Sequence, residues 1–363
     1  MRLLVQKGDG LSPLIDGINR AKSCVEIVIF RCDRREIERA LASAVGRGVR
    51  VHALITYTNR GGEKSLRKLE LRLLAAGVSV VRTAGDLTRY HDKLMIIDRR
   101  ELYVLAFNLT RIDLEYSRSF GIITKDRKLV QEAVKLFEAD QKRQPYTPGL
   151  ATFLVSPENA RKELARFIKG ARKELLIYDP EVSDPEMIRL LEERSKAGVD
   201  IRIIGRLMSR GAKLTARKQP RLRLHTRTMI RDRTQAFIGS QSLRRLELDA
   251  RREVGVLFQD SGAVGRLLSV FQEDWALAEQ SPGQVVANND APSAAKVAKR
   301  IAKAVVNDLP PIAPVLDGVV REVAGEINLT VDVDVEGLET TVKEAVKAAV
   351  KEAVRDAVGA ATK

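Results

Sequence analysis

The sequence predicts an α/β protein made of two pseudo-symmetric repeats, each a mixed sheet flanked by helices, followed by a C-terminal helical tail. Three observations carry this reading. Strand-like and helix-like runs alternate through residues 1 to 280, the same order of runs occurs twice, and no aromatic side chain follows Trp275. The expected boundaries are 1–145 for the first repeat, 150–280 for the second and 281–363 for the Ala/Val/Lys-rich tail. A chain of 363 residues has ample material for such cores.

The first repeat opens with SPLIDGINRAKS, where Ser12 and Pro13 fit an N-cap and a first helical position. The strand VEIVIF follows, then a helix from about Arg35 to Val45, the strand VRVHALI, the helix EKSLRKLELRLLAAG and the strand VSVVR. QKRQPYTPG, 141 to 149, is the expected linker because Pro145 and Pro148 punctuate it. The second repeat restates the order with a helix near Glu158 to Gly170, the strand ELLIY, a helix near Pro185 to Lys196 and the strand of AGVDIRIIG. It lacks a counterpart of the helix around Leu66 to Ala76. The basic run SRGAKLTARKQPRLR stands there instead, which predicts a more open, positively charged rim.

Two stretches carry the chemistry. YHDKLMIIDRRELYVLAFNLT places His91, Lys93 and Asp98 in the spacing H-x-K-x-x-x-x-D, with Asn108 downstream. LHTRTMIRDRTQAFIGSQS repeats it 134 positions later as His225, Arg227 and Asp232, followed by Gly239, Ser240, Gln241 and Ser242. Composition gives that spacing to about one His in a hundred. Two of the three histidines here have it, whereas His52 in VRVHALI reads as a core or edge residue. The apolar run Leu94 to Ile97 reads as a buried strand, and side chains alternate along a strand, so His91 and Lys93 should leave the same face.

At these residues the chain resembles the phospholipase D superfamily, marked by a duplicated H-x-K-x(4)-D motif followed by G-S-x-N. The resemblance covers about residues 1 to 280 and implies one site between the repeats. It implies a metal-independent phosphodiesterase or phosphatidyl transferase, with no cofactor, working through a phosphohistidine. The resemblance also implies that an acidic or amide residue downstream of each motif reaches across to the His of the other repeat. Twenty-eight residues past each His stand Glu253 and Ser119. If Glu253 orients His91, then His91 is the nucleophile and His225 the acid and later base. Lys93 and Arg227 form the cationic clamp, and Asn108, Ser240 and Ser242 are the phosphate-binding candidates. The first G-S-x-N reads Leu105, Ala106, Phe107, Asn108 and the second lacks its Asn, so each half keeps part of the set. Asp98 and Asp232, beyond their strands, read as structural residues that bond turn amides or basic neighbours.

Charge narrows the partner without choosing it. Residues 281–363 carry a net charge of −2, which leaves +17 on residues 1–280. Arg202 to Arg252 alone holds 15 Lys and Arg against 3 Asp and Glu. Such a surface suits a phospholipid headgroup layer or a nucleic acid backbone. A phospholipid phosphodiesterase is the first reading, a nuclease or nucleic acid end-processing enzyme the alternative, and a non-catalytic anion-binding scaffold the third. No apolar run approaches a membrane span, so a cytoplasmic protein with at most peripheral membrane contact is expected. Cys24 and Cys32 close a strand too long for them to pair. Near the C-terminus, Val342, Val346, Val350, Val354 and Val358 make a narrow stripe that predicts packing or self-association of a helix.

Overall fold

The computed structural model describes residues 1–57, 63–208 and 214–280, with six helical positions beyond them at Ala345, Val346, Ala348, Ala349, Glu352 and Ala353. The predicted tail helix, its valine stripe and INLTVDVDVEG otherwise lie outside the described residues.

In the first half the order is β1 (Arg2–Gln6), α1 (Ser12–Arg20), β2 (Cys24–Ile29), α2 (Arg35–Gly46), β3 (Arg50–Ile55), α3 (Glu63–Ala75), β4 (Ser79–Arg82), β5 (Arg89–Tyr90), β6 (Leu94–Ile97), β7 (Glu101–Leu105), α4 (Arg111–Glu115), β8 (Ser117–Thr124) and α5 (Arg127–Lys142). The second half runs β9 (Phe153–Ser156), α6 (Ala160–Lys169), β10 (Glu174–Val182), α7 (Pro185–Lys196), β11 (Asp200–Leu207), β12 (Thr215–Lys218), β13 (Arg223–Leu224), β14 (Arg227–Arg231), β15 (Gln235–Gly239), α8 (Arg245–Asp249), β16 (Arg251–Phe258), α9 (Ser261–Leu277) and β17 (Glu279–Gln280).

The first sheet has the order β1-β8-β7-β6-β2-β3-β4, and the second runs β17-β12-β11-β10-β14-β15-β16. In both, parallel crossovers build one half (β2 with β3, β10 with β11) and antiparallel meanders the other (β6-β7-β8, β14-β15-β16). One face of each sheet is covered by its own helices, α1 to α3 on the first and α6 and α7 on the second. The other faces meet in a shared core with α5 and α9, so the strands are buried on both sides and read as continuous apolar runs. Phe120 and Tyr178 tie the halves across this core with rings 5.3 Å apart, a contact worth about 1 kcal/mol beyond its burial. Tyr178 also donates to Asp274 at 2.7 Å, which accepts from Nε and Nη2 of Arg118 as well.

Most predicted elements are found in place, and the differences have local causes. Leu11, not Ser12, is the N-cap of α1, because its carbonyl already accepts the amides of Leu14 and Ile15. Pro13 sits in the first turn as expected. The linker starts later than predicted: α5 runs to Lys142 and ends at Arg143, which takes a left-handed conformation at φ 55°. Between β11 and β12 no helix stands among the described residues, whereas α3 fills that place in the first repeat. Cys24 and Cys32 are both free. Among the described residues no helix is long and apolar enough to cross a membrane.

Candidate active site

Each motif histidine follows a two-residue strand that belongs to the other repeat's sheet. β5 runs parallel to β16, pairing Arg89 with Arg251 and Tyr90 with Arg252, and the His91 amide then donates to Arg252 O at 2.8 Å. β13 runs parallel to β8, pairing Arg223 with Ser117 and Leu224 with Arg118, and the His225 amide donates to Arg118 O at 3.0 Å. The offset of 134 relates all these pairs. Both histidines are therefore fixed at the seam between the repeats. This also corrects the expectation for His91 and Lys93: they precede β6, which begins at Leu94, because the His91 amide is taken by the opposite repeat. The two still share a neighbour, Phe30, whose ring lies 4.4 Å from the imidazole and 5.2 Å from Lys93 Nζ.

The two aspartates of the motifs lie just past their strands, where they hold the sheets in register. Asp98, at φ 52°, accepts from the amides of Lys22, Ser23 and Cys24 and from the Ser23 hydroxyl. Asp232, at φ 50°, accepts from the amides of Arg172, Lys173 and Glu174. Burial pulls both carboxyls upward, and the amides outweigh it, keeping both acids below the usual range.

Glu253, fully buried on β16, lies 2.9 Å from Nδ1 of His91. Burial drives this imidazole's pKa well below the usual 6.5, and Lys93, Arg227 and Arg251 push it further the same way. A neutral His91 donates from Nδ1 to Glu253 and leaves the Nε2 lone pair available. Burial also raises the Glu253 carboxyl, against the pull of Lys93, Arg251 and Arg227. His225 has a looser partner: Asp113 Oδ2 lies 3.3 Å from its Nδ1, without aligned hydrogen-bond geometry. Burial again lowers the imidazole pKa, here with Asp113 as the main opposing influence.

Both cations of the motifs are buried beside the histidines. Lys93 Nζ donates to the His91 carbonyl, and burial lowers its pKa to about 8. Arg227 donates through Nε to Ser242 at 3.0 Å and sits 3.6 Å from Glu247, while its Nη1 has no hydrogen-bond partner. Burial alone would weaken its charge, but four carboxylates led by Glu247 hold it protonated. Asn108 donates to Asp113 through both its amide and its side chain at 2.7 Å, leaving Oδ1 unpartnered. Ser242 N donates to Glu247 at 2.8 Å. The Ser240 hydroxyl accepts from Val254 N at 3.1 Å and also favours the charged form of Glu253. Among the described residues no three His, Cys, Asp or Glu side chains are grouped to hold a metal ion.

A family model described as "Cardiolipin synthase, PLD-like domain" matches residues 14–141 and 164–275. The chain belongs to this phospholipase D-like family. The chain is 29% identical to polyphosphate kinase 1 of Chlorobaculum tepidum over 219 residues, 54% of this chain and 31% of that protein. It is also 29% identical to the mitochondrial cardiolipin hydrolase of Danio rerio over 136 residues, 35% of this chain and 57% of that one. The chain thus spans about a third of the length of the polyphosphate kinases that it matches. In fold it is similar to phosphatidylserine synthase of Haemophilus influenzae, with a TM-score of 0.62 at 12% identity over 84% of this chain and 93% of that one. The two phospholipase D-like repeats and their mixed sheets agree with the predicted fold class, and the fold is one of phosphodiesterases and phosphoryl transferases.

Two buried carboxylates of this phospholipase D-like site were not singled out by the sequence reading. Asp113 and Glu247 open the short helices α4 and α8, each 22 residues past its motif histidine. Each accepts the amide of the residue five positions earlier, Asn108 or Ser242, and so closes the turn that carries the phosphate-binding candidate. Extending the 134 offset past the motifs would have paired them.

Proposed function

We propose that the chain is a metal-independent phosphodiesterase or phosphatidyl transferase that acts on phospholipids through a phosphohistidine on His91. The observation that carries this reading is the contact between Glu253 and His91 across the repeats, beside two buried cations. Displacement at phosphorus needs a nucleophile, a proton for the leaving oxygen and fixed positive charge.

With Nδ1–H held by Glu253, His91 attacks through Nε2. The P–O bond to the leaving alcohol breaks as protonated His225 delivers its proton to that oxygen. The bound phosphate anion and Asp113 both favour the charged imidazole for this step. Water or a second alcohol then attacks the phosphohistidine and gives its proton to His225. Lys93 and Arg227 hold the phosphoryl oxygens, with Arg227 offering Nη1 as a donor and Ser242 fixing its guanidinium. Asn108 offers the phosphate the Nδ2 hydrogen that Asp113 does not take, whereas the Ser240 hydroxyl contributes by fixing the strand that carries Glu253.

The test uses EDTA-treated wild type beside His91→Ala and His225→Ala on bis(p-nitrophenyl) phosphate, then on anionic liposomes, plasmid DNA and inorganic polyphosphate. Metal-free turnover lost in both variants, with liposomes consumed, supports the reading. Cleavage of plasmid instead gives the nuclease alternative. An inert wild type on all four leaves the anion-binding scaffold.

A further inference from the structure

A cavity of about 610 Å³ lies beside the second motif, lined among others by Leu207, Met208, Lys218, Leu222, Arg223 and Leu224. Its size is that of a small-molecule site. The described lining includes three cations, Arg206, Lys218 and Arg223, and neither an acidic nor an aromatic residue. That composition fits an aliphatic chain with an anionic group at the rim, and it offers no aromatic ring on which a nucleobase could stack. Gly205 in the cavity wall, at φ +147°, lies so close to the paired strand that a Cβ there would come 1.7 Å from Asp179 O.

The position of the cavity says which part of the substrate it serves. Arg223 lines it and also donates to Asp113 Oδ1 at 2.5 Å, and Asp113 is the carboxylate beside His225. Leu224 precedes His225 directly. The cavity therefore flanks the acid and base of the proposed reaction, not the nucleophile. An alcohol that accepts the phosphoryl group must enter next to His225, which takes its proton as the new P–O bond forms and the His91–P bond breaks.

We propose that this cavity holds the hydrocarbon chain of the accepting or leaving alcohol, making the second substrate a lipid alcohol. This rests on the phosphohistidine reading above. The experiment lets the full-length enzyme cleave bis(p-nitrophenyl) phosphate in the presence of ethanol, hexanol or octanol. The release of p-nitrophenol and the share captured as alkyl ester are both measured. Capture is expected to rise with chain length, by up to about fourfold per methylene buried (~0.8 kcal/mol). Leu222→Trp, which fills the cavity, is expected to abolish that rise, so that octanol is captured no better than ethanol.

Capture independent of chain length overturns the proposal, as does a preference that survives both Leu222→Trp and Met208→Trp. So does a Leu222→Trp effect confined to the retained group, seen by comparing ethyl with octyl p-nitrophenyl phosphate. A wild type that releases no p-nitrophenol at all refutes the underlying phosphohistidine reading, and is distinguished by that first measurement.

Discussion

Ser119 donates its hydroxyl to the carbonyl oxygen of His225 at 2.6 Å, from the place in the first repeat that Glu253 occupies in the second. One repeat thus sends a carboxylate to the opposite imidazole, and the other sends a hydroxyl to the opposite backbone. The imidazole of His225 is left to Asp113, on a different element and at a longer distance. This asymmetry separates two histidines that the motifs present as equivalent, and it supports giving them different roles.

If His91 is the nucleophile, rapid-quench phosphate analysis will separate the two. His225→Ala is expected to accumulate a phosphohistidine from a p-nitrophenyl ester, whose leaving group needs no acid, and His91→Ala to form none. Glu253→Gln is expected to lower kcat by about a hundredfold with KM little changed, because the neutral amide no longer favours the reactive tautomer. An adduct in His91→Ala would reverse the assignment.

Asp113 acts through His225, so its effect depends on the leaving group. Asp113→Asn is expected to cost about a hundredfold on an alkyl ester and far less on a p-nitrophenyl ester, where protonation contributes little. Steady-state kinetics on a leaving-group series checks this. A uniform loss along the series would mean that Asp113 only closes the Asn108 turn.

Lys93 sets the alkaline side of the pH profile. Burial holds its pKa at about 8, so kcat/KM for the free enzyme is expected to fall as pH rises through about 8 and the clamp loses a charge. Lys93→Arg should move that limb above pH ~10, since guanidinium stays protonated there. On a p-nitrophenyl ester, whose leaving group needs no acid, only His91 must be neutral; burial holds its pKa below the usual range, so the acid limb should lie below pH ~6.5. An alkaline limb unmoved in Lys93→Arg assigns it to another group.

Asp98 tests the motif away from the chemistry. Asp98→Ala removes the acceptor for three amides and a hydroxyl, at a cost of ~2 kcal/mol in urea unfolding. Activity per folded molecule should stay near wild type below the transition. A loss of turnover without a loss of stability would give Asp98 a role in the site.

Much of this fold was legible because its signals are local. The buried runs around β2, β3, β10 and β11, the Asp184 cap with Pro185 opening α7, and the doubled histidine spacing all depend on near neighbours in sequence. α5 and α9 went unassigned in the sequence reading although aspartates cap both, at Asp126 and Asp260. Their apolar faces have meaning only once two sheets exist to enclose them.

By itself the sequence determined the two repeats, their 134 offset and the residue types of the candidate site, since periodicity and spacing are properties of the chain. Tertiary structure decided which partner each histidine receives. His91 gains Glu253, and His225 gains Asp113 on its side chain and Ser119 on its carbonyl, because β5 and β13 each cross to the other repeat's sheet. Pairing over more than a hundred residues leaves no local trace. Burial at that seam then sets the electrostatics, pushing both imidazoles and Lys93 toward their neutral forms, while carboxylates drawn from both repeats keep Arg227 charged.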